Sequence, residues 1–596
     1  MTFFNGTVVE VSYEIANKVG GIYTVVASKM ENILSKIKDY YVIGPFYSKS
    51  LAEFEEEVPP VHLKRCFELL KEKHGIDCKY GKWFIEGKPK CILIDPGRQR
   101  EKINEIKGKL WEIYKIDSLG SDWWFNEPLP WSWSTGIVIE ELYNSSVFRS
   151  NTIAHFHEWL SGAGLLYLKS RNPDVKTVFT THATVLGRTI AEVGREDLYK
   201  MIRDGLSKGE TMNDSKAYEY NLQAKHLMEK ACCNNADVFT TVSHIVAMEC
   251  EYILGRKPDV ILPNGLNMEN FPIMEELSNL HISHRERIRK FLMSYFSPYY
   301  EFDVKNTLLI FTSGRFEFRN KGIDVFIDSL GKLNQILKGM KTKKHIVAFI
   351  WIPCETRGEK GEVMENISLF NRAEEIIERE TEEIKERIME CFAKGILPGK
   401  NVMDEQFLND LRKMILQLKA KYNRTPPISP FDVPENSITL ALKRNGLLNR
   451  REDKVKVIYY PAYLSKIDGL LAMDYYNAVI GCHVGVFPSY YEPWGYTPLE
   501  TAALGLQTIT TDLSGFGTFI SSRLEKDEMS IVILPRMNKP YEEIVDKLTH
   551  ILLKIYKMDK RKRGMYKIRA KQLSLKADWK VLIKNYLKAY SLAMKR

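Results

Sequence analysis

Short apolar runs alternate with amphipathic helical patterns along most of this 596-residue chain. The runs are rich in β-branched residues, which is typical of strands buried in parallel sheets. In the first half of the chain they are TVVEVSYEI (7–15), YYVIGPF (40–46), KCILIDP (90–96), NTIAHFH (151–157), VKTVFTTH (175–182) and ADVFTTVS (236–243). Alternation of this kind predicts an α/β fold in which crossover helices join parallel strands.

A second series of the same kind follows a turn-rich junction at ILPNGLN (261–267) and a helical stretch over 274–295. Its strands are predicted within 306–322, 345–353, 455–464, 478–489 and 506–515. Because a chain of 596 residues exceeds what one hydrophobic core usually supports, we assign each series to its own domain. The expected domains are residues 1–268 and residues 269–574.

Two helical segments lie outside this alternation. Residues 361–422 carry long, highly charged helical patterns with few breakers, which predicts a helical insertion in the second domain. The last segment, 575–596, has the pattern of an amphipathic helix, and we expect it to pack back on the first domain.

Composition narrows the function classes only slightly. The net charge of +10 arises from 86 basic and 76 acidic residues, which permits anionic ligands without requiring nucleic acid. The sequence lacks a basic groove interleaved with aromatic residues, so we expect no nucleic-acid partner. Its nine cysteines are scattered without CxxC spacing, and it has neither a leader pattern nor a run of about 18 apolar residues. We therefore expect a cytoplasmic protein with no membrane partner.

Two carboxylates flank a Pro-Trp-Gly turn in SYYEPWGYTPLETAALG (489–505). Glu492 comes just after the strand predicted in 478–489, and Glu500 lies in the first turns of the helix that follows. Ligands of open α/β sheets bind at the carboxyl ends of the strands, so both residues are candidates for a site. The alternative is that Glu492 is a solvated loop residue and Glu500 only complements the helix dipole.

Polar residues also end the strands of the first series. Gly20 and Gly21 separate a strand from a helix, where backbone N–H groups can approach a phosphate or sugar. A Gly-Gly turn that serves only tight packing is the alternative.

Histidines follow two further strands of the first series. AHFHEWLSG (154–162) contains His155 and His157, and TTHATVLGR (180–188) contains His182 and Arg188. A single histidine is more often structural than functional, but two such clusters in one sheet favour a site. No third ligand has plausible local spacing, so we expect no zinc site here.

In the second series, SGRFEFRNKG (313–322) brings Arg315 and Lys321 to the end of a strand. Two cations there can neutralise a diphosphate leaving group, although a solvated basic loop is the alternative. The sequence contains no Asp-x-Asp pair to hold Mg²⁺. We therefore expect no metal ion and no other cofactor.

Seven motifs occur in one order between about residues 8 and 580: EIANKVGGIYTVV, AHFHEWLSG, TTHATVLGR, ADVFTTVS, PNGLN, GRFEFRNKG and YYEPWGYTPLE. Together they resemble the glycogen synthase family of the animal and fungal type. Bacterial and plant synthases carry Lys-Thr-Gly-Gly at the first motif, whereas this chain has Lys-Val-Gly-Gly at 18–21. The resemblance implies the GT-B fold, in which two Rossmann-like domains face each other across the active site.

The resemblance also implies an activity and roles for the matched residues. The implied reaction is retaining transfer of glucose from UDP-glucose to the nonreducing end of an α-1,4-glucan. The implied catalytic residues are Glu492, Arg315, Lys321 and His182. The implied substrate-binding residues are Lys18, Gly20, Gly21, His155, Arg188, Asn264, Tyr491, Trp494, Gly495, Thr497 and Glu500, the last of which would hold the ribose of the donor.

A basic segment, KMDKRKRGMYKIRAK (557–571), precedes the final helix. Arg563 and Lys567 are spaced i and i+4, so both can reach one phosphate from the same helix face, although a solvated helix is the alternative. The resemblance implies a glucose-6-phosphate site here, completed by His281 and Arg285. Lysines replace several of the family's arginines, which predicts a weaker response or none.

The resemblance further implies a homotetramer, since the segment 361–422 is similar to the family's subunit-contact helices. The family's amino-terminal extension and phosphorylated carboxy-terminal tail have no counterpart in the sequence, so we expect no phosphorylation control of that kind. Two alternatives stay open. One is another retaining GT-B transferase that makes sucrose, trehalose or a different glucan, and the other is a noncatalytic glucan-binding homologue.

Overall fold

Two β-sheets organise the computed structural model, which describes residue 4 and residues 6–340, 342–399 and 402–596. The strands of the first sheet are β1 (Thr7–Val11), β2 (Tyr40–Pro45), β3 (Phe54–Glu56), β4 (Asp77–Trp83), β5 (Lys90–Asp95), β6 (Thr152–His157), β7 (Val175–Thr181), β8 (Val238–Thr241) and β9 (Val260–Ile261). Their order is β3-β4-β5-β2-β1-β6-β7-β8-β9. Only the pairs β3·β4 and β4·β5 are antiparallel among the strand pairs of the described residues.

The second sheet is parallel throughout the described residues. Its strands are β10 (Thr307–Ser313), β11 (His345–Trp351), β12 (Val455–Tyr460), β13 (Val484–Val486), β14 (Gln507–Thr511) and β15 (Ile531–Leu534). Their order is β12-β11-β10-β13-β14-β15. One mainly parallel and one parallel sheet, joined by crossover helices, confirm the α/β fold of two Rossmann-like domains.

Helices connect and cover the strands. Those that precede residue 260 are α1 (Gly21–Leu34), α2 (Val61–His74), α3 (Ile103–Tyr114), α4 (Trp123–Asn126), α5 (Pro128–Asn144), α6 (Glu158–Arg171), α7 (Val185–Val193), α8 (Leu198–Ser207), α9 (Ser215–Glu219), α10 (Gln223–Asn235) and α11 (His244–Ile253). Those that follow are α12 (Met274–Phe296), α13 (Ile323–Lys338), α14 (Gly361–Ala393), α15 (Glu405–Lys419), α16 (Ser437–Arg444), α17 (Tyr475–Gly481), α18 (Tyr496–Ala503), α19 (Gly515–Ser521), α20 (Tyr541–Lys557), α21 (Lys560–Ser574) and α22 (Trp579–Ala593). No described helix combines the length and the apolar character needed to cross a lipid bilayer.

The central strands are covered on both faces, which explains why they are apolar without alternation. In β1, Val8 packs into one apolar cluster, whereas Val9 and Val11 pack into another on the opposite face. Every residue of β1 is buried, including the charged Glu10. A buried carboxylate in a central strand requires a partner, and its surroundings are described below.

The strand predicted over 478–489 is wrong in its first half. Residues Tyr475–Gly481 form α17, and only Val484–Val486 forms a strand. The Asp474 carboxylate accepts a hydrogen bond from the Asn477 N–H and so caps the start of α17, while Ala478–Gly481 are buried. A short, wholly buried apolar run does not distinguish helix from strand, and the cap decides the outcome.

Two features lie outside the sheets. α14 and α15 lie between β11 and β12, in the segment where the helical insertion was predicted. α22 packs on the first domain, because Trp579 Nε1 donates to Ser28 Oγ at 2.7 Å and the Tyr590 hydroxyl lies 3.0 Å from His155 Nδ1. The end of the chain therefore crosses back from the second domain to the first.

Candidate functional site

A cavity of about 610 Å³ lies between the carboxyl ends of strands from the two sheets. Residues that follow β1, β6 and β7 line it on one side, and residues that follow β10 and β13 line it on the other. This is the position where ligands bind in open α/β sheets. We call this cavity the cleft.

The cleft contains most of the site residues predicted from the sequence. These are Gly20, Gly21, His182, Arg188, Asn264, Arg315, Lys321, Tyr491, Glu492, Trp494, Gly495 and Thr497. They come from segments far apart in the chain, and the two domains bring them together.

Three predicted site residues do not line the cleft. His155 is fully buried, with Nδ1 3.0 Å from the Tyr590 hydroxyl and Nε2 2.7 Å from Thr180 Oγ1, so both ring nitrogens already have partners. Lys18 is exposed, and its Nζ lies 5.3 Å from the centroid of the Tyr23 ring. His155 therefore lies in the interior of the first domain and Lys18 lies at its surface, and neither lines the cleft.

Glu500 is the third residue outside the cleft. It lies in α18, and its Oε1 accepts a hydrogen bond of 3.0 Å from the Tyr476 hydroxyl. Burial raises the pKa of Glu500 to about 7, although the Tyr476 hydrogen bond acts to lower it. The resemblance implies that Glu500 holds the ribose of the donor, and the structure does not place it among the residues that line the cleft.

Glu492 and Lys321 form an ion pair inside the cleft, with 2.7 Å between Oε2 and Nζ. The loop that carries Glu492 is fixed by the start of α19, because the Gly515 N–H donates to the Glu492 carbonyl at 3.0 Å and the Phe516 N–H donates to the Trp494 carbonyl at 2.6 Å. The carboxylate is therefore held at a defined place beside a cation.

Gly495 ends this loop with a φ of 106°, a value that residues other than glycine rarely adopt. A Cβ atom there would also lie 2.9 Å from Ser514 Oγ. The turn that directs Glu492 into the cleft thus requires glycine at this position.

Arg315 supplies a second cation at the opening of the cleft. Its side chain is 64% exposed, and it pairs with Glu317 at 2.8 Å between Nη2 and Oε1. An exposed guanidinium that has one carboxylate partner among the described residues can exchange that partner for an anionic ligand.

Arg188 faces these groups from the first domain. Burial acts to lower the pKa of its guanidinium, but the neighbouring Tyr491, Glu317 and Glu158 raise it above its ordinary value. The cleft therefore holds a positive charge on each side.

Glu158 lines the cleft but was not among the predicted site residues. Its carboxylate accepts hydrogen bonds from the N–H groups of His182 at 2.7 Å and Ala183 at 3.2 Å, and burial raises its pKa to about 7. Its φ of 64° is unusual for a residue with a side chain. Backbone strain of this kind concentrates at functional sites.

The Gly20–Gly21 turn is occupied by a second unpredicted carboxylate. Glu14 Oε2 accepts from the Gly20 N–H at 2.9 Å and from the Tyr23 N–H at 2.8 Å. The Glu14 carboxylate therefore caps the start of α1, at the N–H groups that the sequence suggested for an anionic ligand. Glu14 precedes the turn by six residues in the same motif, but the sequence alone does not show that its side chain caps α1.

Three residues that line the cleft have a buried polar atom without a hydrogen-bond partner among the described residues. These atoms are Asn264 Oδ1, an acceptor, Trp494 Nε1, a donor, and the Tyr496 hydroxyl, which can act as either. Buried polar groups are nearly always paired in native proteins, so these atoms are suited to a polar ligand such as a sugar.

Hydrogen bonds between the domains flank Glu492 on both sides. The Tyr491 hydroxyl donates to Glu249 Oε1 at 2.8 Å, and Ser243 Oγ donates to the Pro493 carbonyl at 2.7 Å. The position of the Glu492 loop is therefore coupled to the first domain.

Three buried side chains, Glu10, His155 and His157, have ligand atoms within 4.8 Å of one another, as a metal site requires. The sequence argument against zinc considered only local spacing and missed Glu10, which β1 contributes. However, Lys29 Nζ lies 2.5 Å from Glu10 Oε1, and a buried ammonium group at that oxygen disfavours a metal ion.

A second cavity, of about 740 Å³, brings together all four residues predicted for an effector site. His281 and Arg285 of α12 face Arg563 and Lys567 of α21 across it, and Arg289 and Lys344 add further positive charge. Burial, together with Arg285 and Arg563, holds the pKa of Lys567 well below its ordinary value. The residues described around this cavity contribute one acidic side chain, Asp559, so its chemistry favours an anion.

Comparison with known proteins supports a single family. A family model described as "Glycogen synthase" matches residues 10–596. The chain is 36% identical over 602 residues to "Glycogen [starch] synthase" of Neurospora crassa, with 99% of this chain and 84% of that protein covered. It is 34% identical over 596 residues to "Glycogen [starch] synthase, liver" of Homo sapiens, with 98% of this chain and 83% of that protein covered.

Solved structures share the fold at low sequence identity. The catalytic domain of starch synthase IV from Arabidopsis thaliana, solved with ADP and acarbose, superposes with a TM-score of 0.50 at 13% identity, covering 100% of both chains. This likeness establishes the GT-B fold.

Proposed function

Because this chain belongs to the glycogen synthase family, we propose that it transfers glucose from UDP-glucose to the nonreducing end of an α-1,4-glucan with retention of the anomeric configuration. The observation that carries this proposal is the Glu492–Lys321 ion pair, with 2.7 Å between its charged atoms, in a cleft between two Rossmann-like domains. Arg315 and Arg188 line the same cleft. A diphosphate leaving group and a sugar that develops positive charge need this arrangement.

Each charged group then has a task in the reaction. Lys321 and Arg315 bind the diphosphate and stabilise the charge that appears on it as the bond to glucose breaks. Glu492 stabilises the positive charge that develops at the anomeric carbon. Lys321 contacts Glu492, so a bound diphosphate would compete with the carboxylate for its ammonium group.

The glucose unit would lie against the first domain. His182 and Asn264 line the cleft there and supply polar atoms for sugar hydroxyl groups. We propose that no metal ion takes part, since the cations of Arg315 and Lys321 line the cleft and the sequence has no Asp-x-Asp pair.

A transfer assay tests this proposal directly. Purified protein is incubated with radiolabelled UDP-glucose or ADP-glucose and with glycogen as acceptor, and labelled polymer is counted after precipitation. We expect UDP-glucose to be the better donor and amylase to release the label. Label recovered in sucrose, trehalose or another small product would replace the proposal with another retaining GT-B transferase, and absence of transfer with intact donor binding would indicate a noncatalytic homologue.

We also propose that the cavity between α12 and α21 binds glucose-6-phosphate as an activator. The convergence of Arg285, Arg563 and Lys567 supports a phosphate ligand, and the volume of about 740 Å³ admits a sugar phosphate. The substitution of lysine for some of the family's arginines favours modest activation.

The assembly that we propose is a homotetramer in the cytoplasm. α14 and α15 leave large apolar side chains in solvent, with Met389 60%, Phe392 78% and Leu416 69% exposed. Contact with another copy would bury them. The nine free cysteines fit a reducing compartment. Light scattering of the purified protein tests the assembly, and a monomeric mass would exclude it.

A further inference from the structure

A chain of buried hydrogen bonds leads from His182 in the cleft into the first domain. His182 Nε2 lies 2.9 Å from His157 Nδ1, and His157 Nε2 lies 2.7 Å from Glu10 Oε1. β1, β6 and β7 are neighbours in the sheet, so Glu10, His157 and the residue after β7 stack beneath the cleft. We call Glu10, His157 and His182 the buried histidine chain.

Glu10 is a carboxylate in this chain. Burial acts to raise its pKa, but Lys29 and the hydrogen bond from His157 hold it well below its ordinary value. Lys29 Nζ lies 2.5 Å from Oε1, and the Tyr40 hydroxyl donates to Oε2 at 2.6 Å. An ionised carboxylate only accepts hydrogen bonds, so His157 must donate through Nε2.

This direction fixes the tautomers of both histidines. Burial lowers the pKa of His157 and of His182, so both rings are neutral at pH 7 and each carries one N–H. With the proton of His157 on Nε2, its Nδ1 is an acceptor and receives the Nε2–H of His182. Nδ1 of His182 is then the nitrogen left for a ligand, and it is an acceptor.

Burial of the Glu10–Lys29 ion pair does not by itself stabilise the fold. Both side chains are fully buried, and burying two charges costs free energy that their attraction barely offsets. Apolar residues of the same size would fill a central strand and its covering helix at least as well. The pair is therefore better explained by what Glu10 contacts than by stability.

We propose that Glu10 is a positioning residue that acts through His157 to fix the ring and the tautomer of His182. His182 then presents a lone pair, rather than an N–H, to a hydroxyl group of the sugar in the cleft. With the other tautomer an N–H would face that hydroxyl group, so the hydroxyl would have to accept this hydrogen bond and could no longer donate it to His182. This inference rests on the proposed function, because that function supplies the sugar.

Spectroscopy tests the tautomer independently of activity. Selective ¹⁵N labelling of histidine, with His182→Gln for assignment, reports which ring nitrogen carries hydrogen. We expect the His182 signals of the wild-type protein to show a protonated Nε2 and an unprotonated Nδ1. A protonated Nδ1, or an imidazolium at pH 7, would overturn the inference even if transfer from UDP-glucose is absent.

Paired variants test the role of Glu10. Glu10→Leu with Lys29→Met removes the acceptor for His157, whereas Glu10→Gln with Lys29→Met has the same charge but keeps a carbonyl oxygen. We expect kcat/KM to fall about 10²-fold in the variant with Glu10→Leu and much less in the variant with Glu10→Gln. A misplacement of about 1 Å in an active site can reduce the rate by about 10²-fold. Equal losses in both pairs would show that only the buried ion pair matters.

A second comparison covers the case in which the variant with Glu10→Leu does not fold. His157→Asn keeps an acceptor near the position of Nδ1, whereas His157→Leu keeps none. The asparagine variant should retain more activity than the leucine variant at equal melting temperature, and equal activity would overturn the inference. Transfer by the wild-type protein is measured first. Its absence would contradict the proposed function, and the spectroscopic result would then decide whether the inference about Glu10 and His182 is right.

Discussion

At the scale of single residues, the cleft depends on charged side chains that follow the carboxyl ends of parallel strands. Arg315, Lys321 and Glu492 were predicted to lie together because the carboxyl ends of parallel strands converge, and the structure brings them into one cleft. His155 was misplaced because it precedes His157 by two residues, which puts it on the same face but about 7 Å deeper in the sheet. Glu14 was missed because the sequence does not show that it caps the helix after the Gly-Gly turn.

Glu492→Gln tests the central charge of the cleft. The substitution keeps the size of the side chain and removes the carboxylate that faces Lys321. We expect kcat to fall by at least about 10²-fold, the scale for losing one preorganised electrostatic group, with little change in UDP-glucose affinity. Steady-state rates and donor titration by calorimetry measure the two effects.

The matched control for this variant is Glu317→Gln. Glu317 lines the same cleft but pairs with the exposed Arg315, so its loss should reduce kcat far less. A Glu492→Gln protein with nearly normal turnover, or an equal loss in both variants, would contradict the role of Glu492.

Metal independence is a second prediction at this scale. Lys321 and Arg315 line the cleft, and we expect them to provide the charge that Mg²⁺ supplies in other transferases, so activity should persist in excess chelator. Lys321→Ala should reduce kcat more than it weakens glucan binding, because the ammonium group acts on the leaving group. Complete inactivation by chelator, reversed by Mg²⁺ or Mn²⁺, would show that the two cations do not suffice.

At the scale of elements, caps decided what the apolar pattern left open. α17 and the predicted strand share one apolar run, and only the Asp474 cap distinguishes them. α21 shows the opposite case. Its i, i+4 spacing correctly placed Arg563 and Lys567 on one side of the helix. The resemblance implied that His281 and Arg285 of α12 complete the site, and the spacing alone does not show the cavity that the two helices enclose.

Activation by glucose-6-phosphate is the prediction that belongs to α12 and α21. Arg563→Ala with Lys567→Ala should abolish activation and preserve the basal rate, because neither residue lines the cleft. The matched control is Arg561→Ala with Lys562→Ala, which removes the same charge from exposed positions of α21. A rate titration with the effector at millimolar concentration measures both.

Proton uptake gives the same site a second readout. The pKa of Lys567 is held well below its ordinary value, and a bound phosphate would raise it, so binding should take up a proton. Calorimetry in two buffers of different ionisation enthalpy measures that uptake at pH 8. If the protein shows neither activation nor heat of binding at millimolar effector, glucose-6-phosphate is not a ligand of this cavity.

At the scale of the whole molecule, the two domains meet at a buried carboxyl group, Glu249. Glu249 of the first domain accepts from the Tyr491 hydroxyl of the second domain at 2.8 Å, beside Glu492. Burial raises the pKa of Glu249 to about 7, although Thr184 and Tyr491 act to lower it. The sequence predicted two domains from two series of strands, but a contact between residues 249 and 491 cannot be read from either series alone.

The pH dependence of stability tests this contact. An unfolded glutamate has a pKa of about 4.3, so between that value and about pH 7 the folded protein keeps a proton on Glu249 that the unfolded chain releases. The contribution of Glu249 to the free energy of unfolding is therefore greatest at low pH and falls as pH rises through this window, by up to about 1.4 kcal/mol per pH unit. Glu249→Gln imitates the protonated side chain and removes this dependence.

The expected result is a difference curve. The melting temperature of Glu249→Gln minus that of the wild-type protein should rise from pH 5.5 to pH 7.5 and stay level above it, while buried histidines affect both proteins equally and cancel. Glu251→Gln, on the same helix but without a bond to the second domain among the described residues, should give a flat difference. A flat curve for Glu249→Gln as well would mean that Glu249 is ionised throughout this range, so that the Tyr491 hydroxyl binds a carboxylate and the contact between the domains is insensitive to pH.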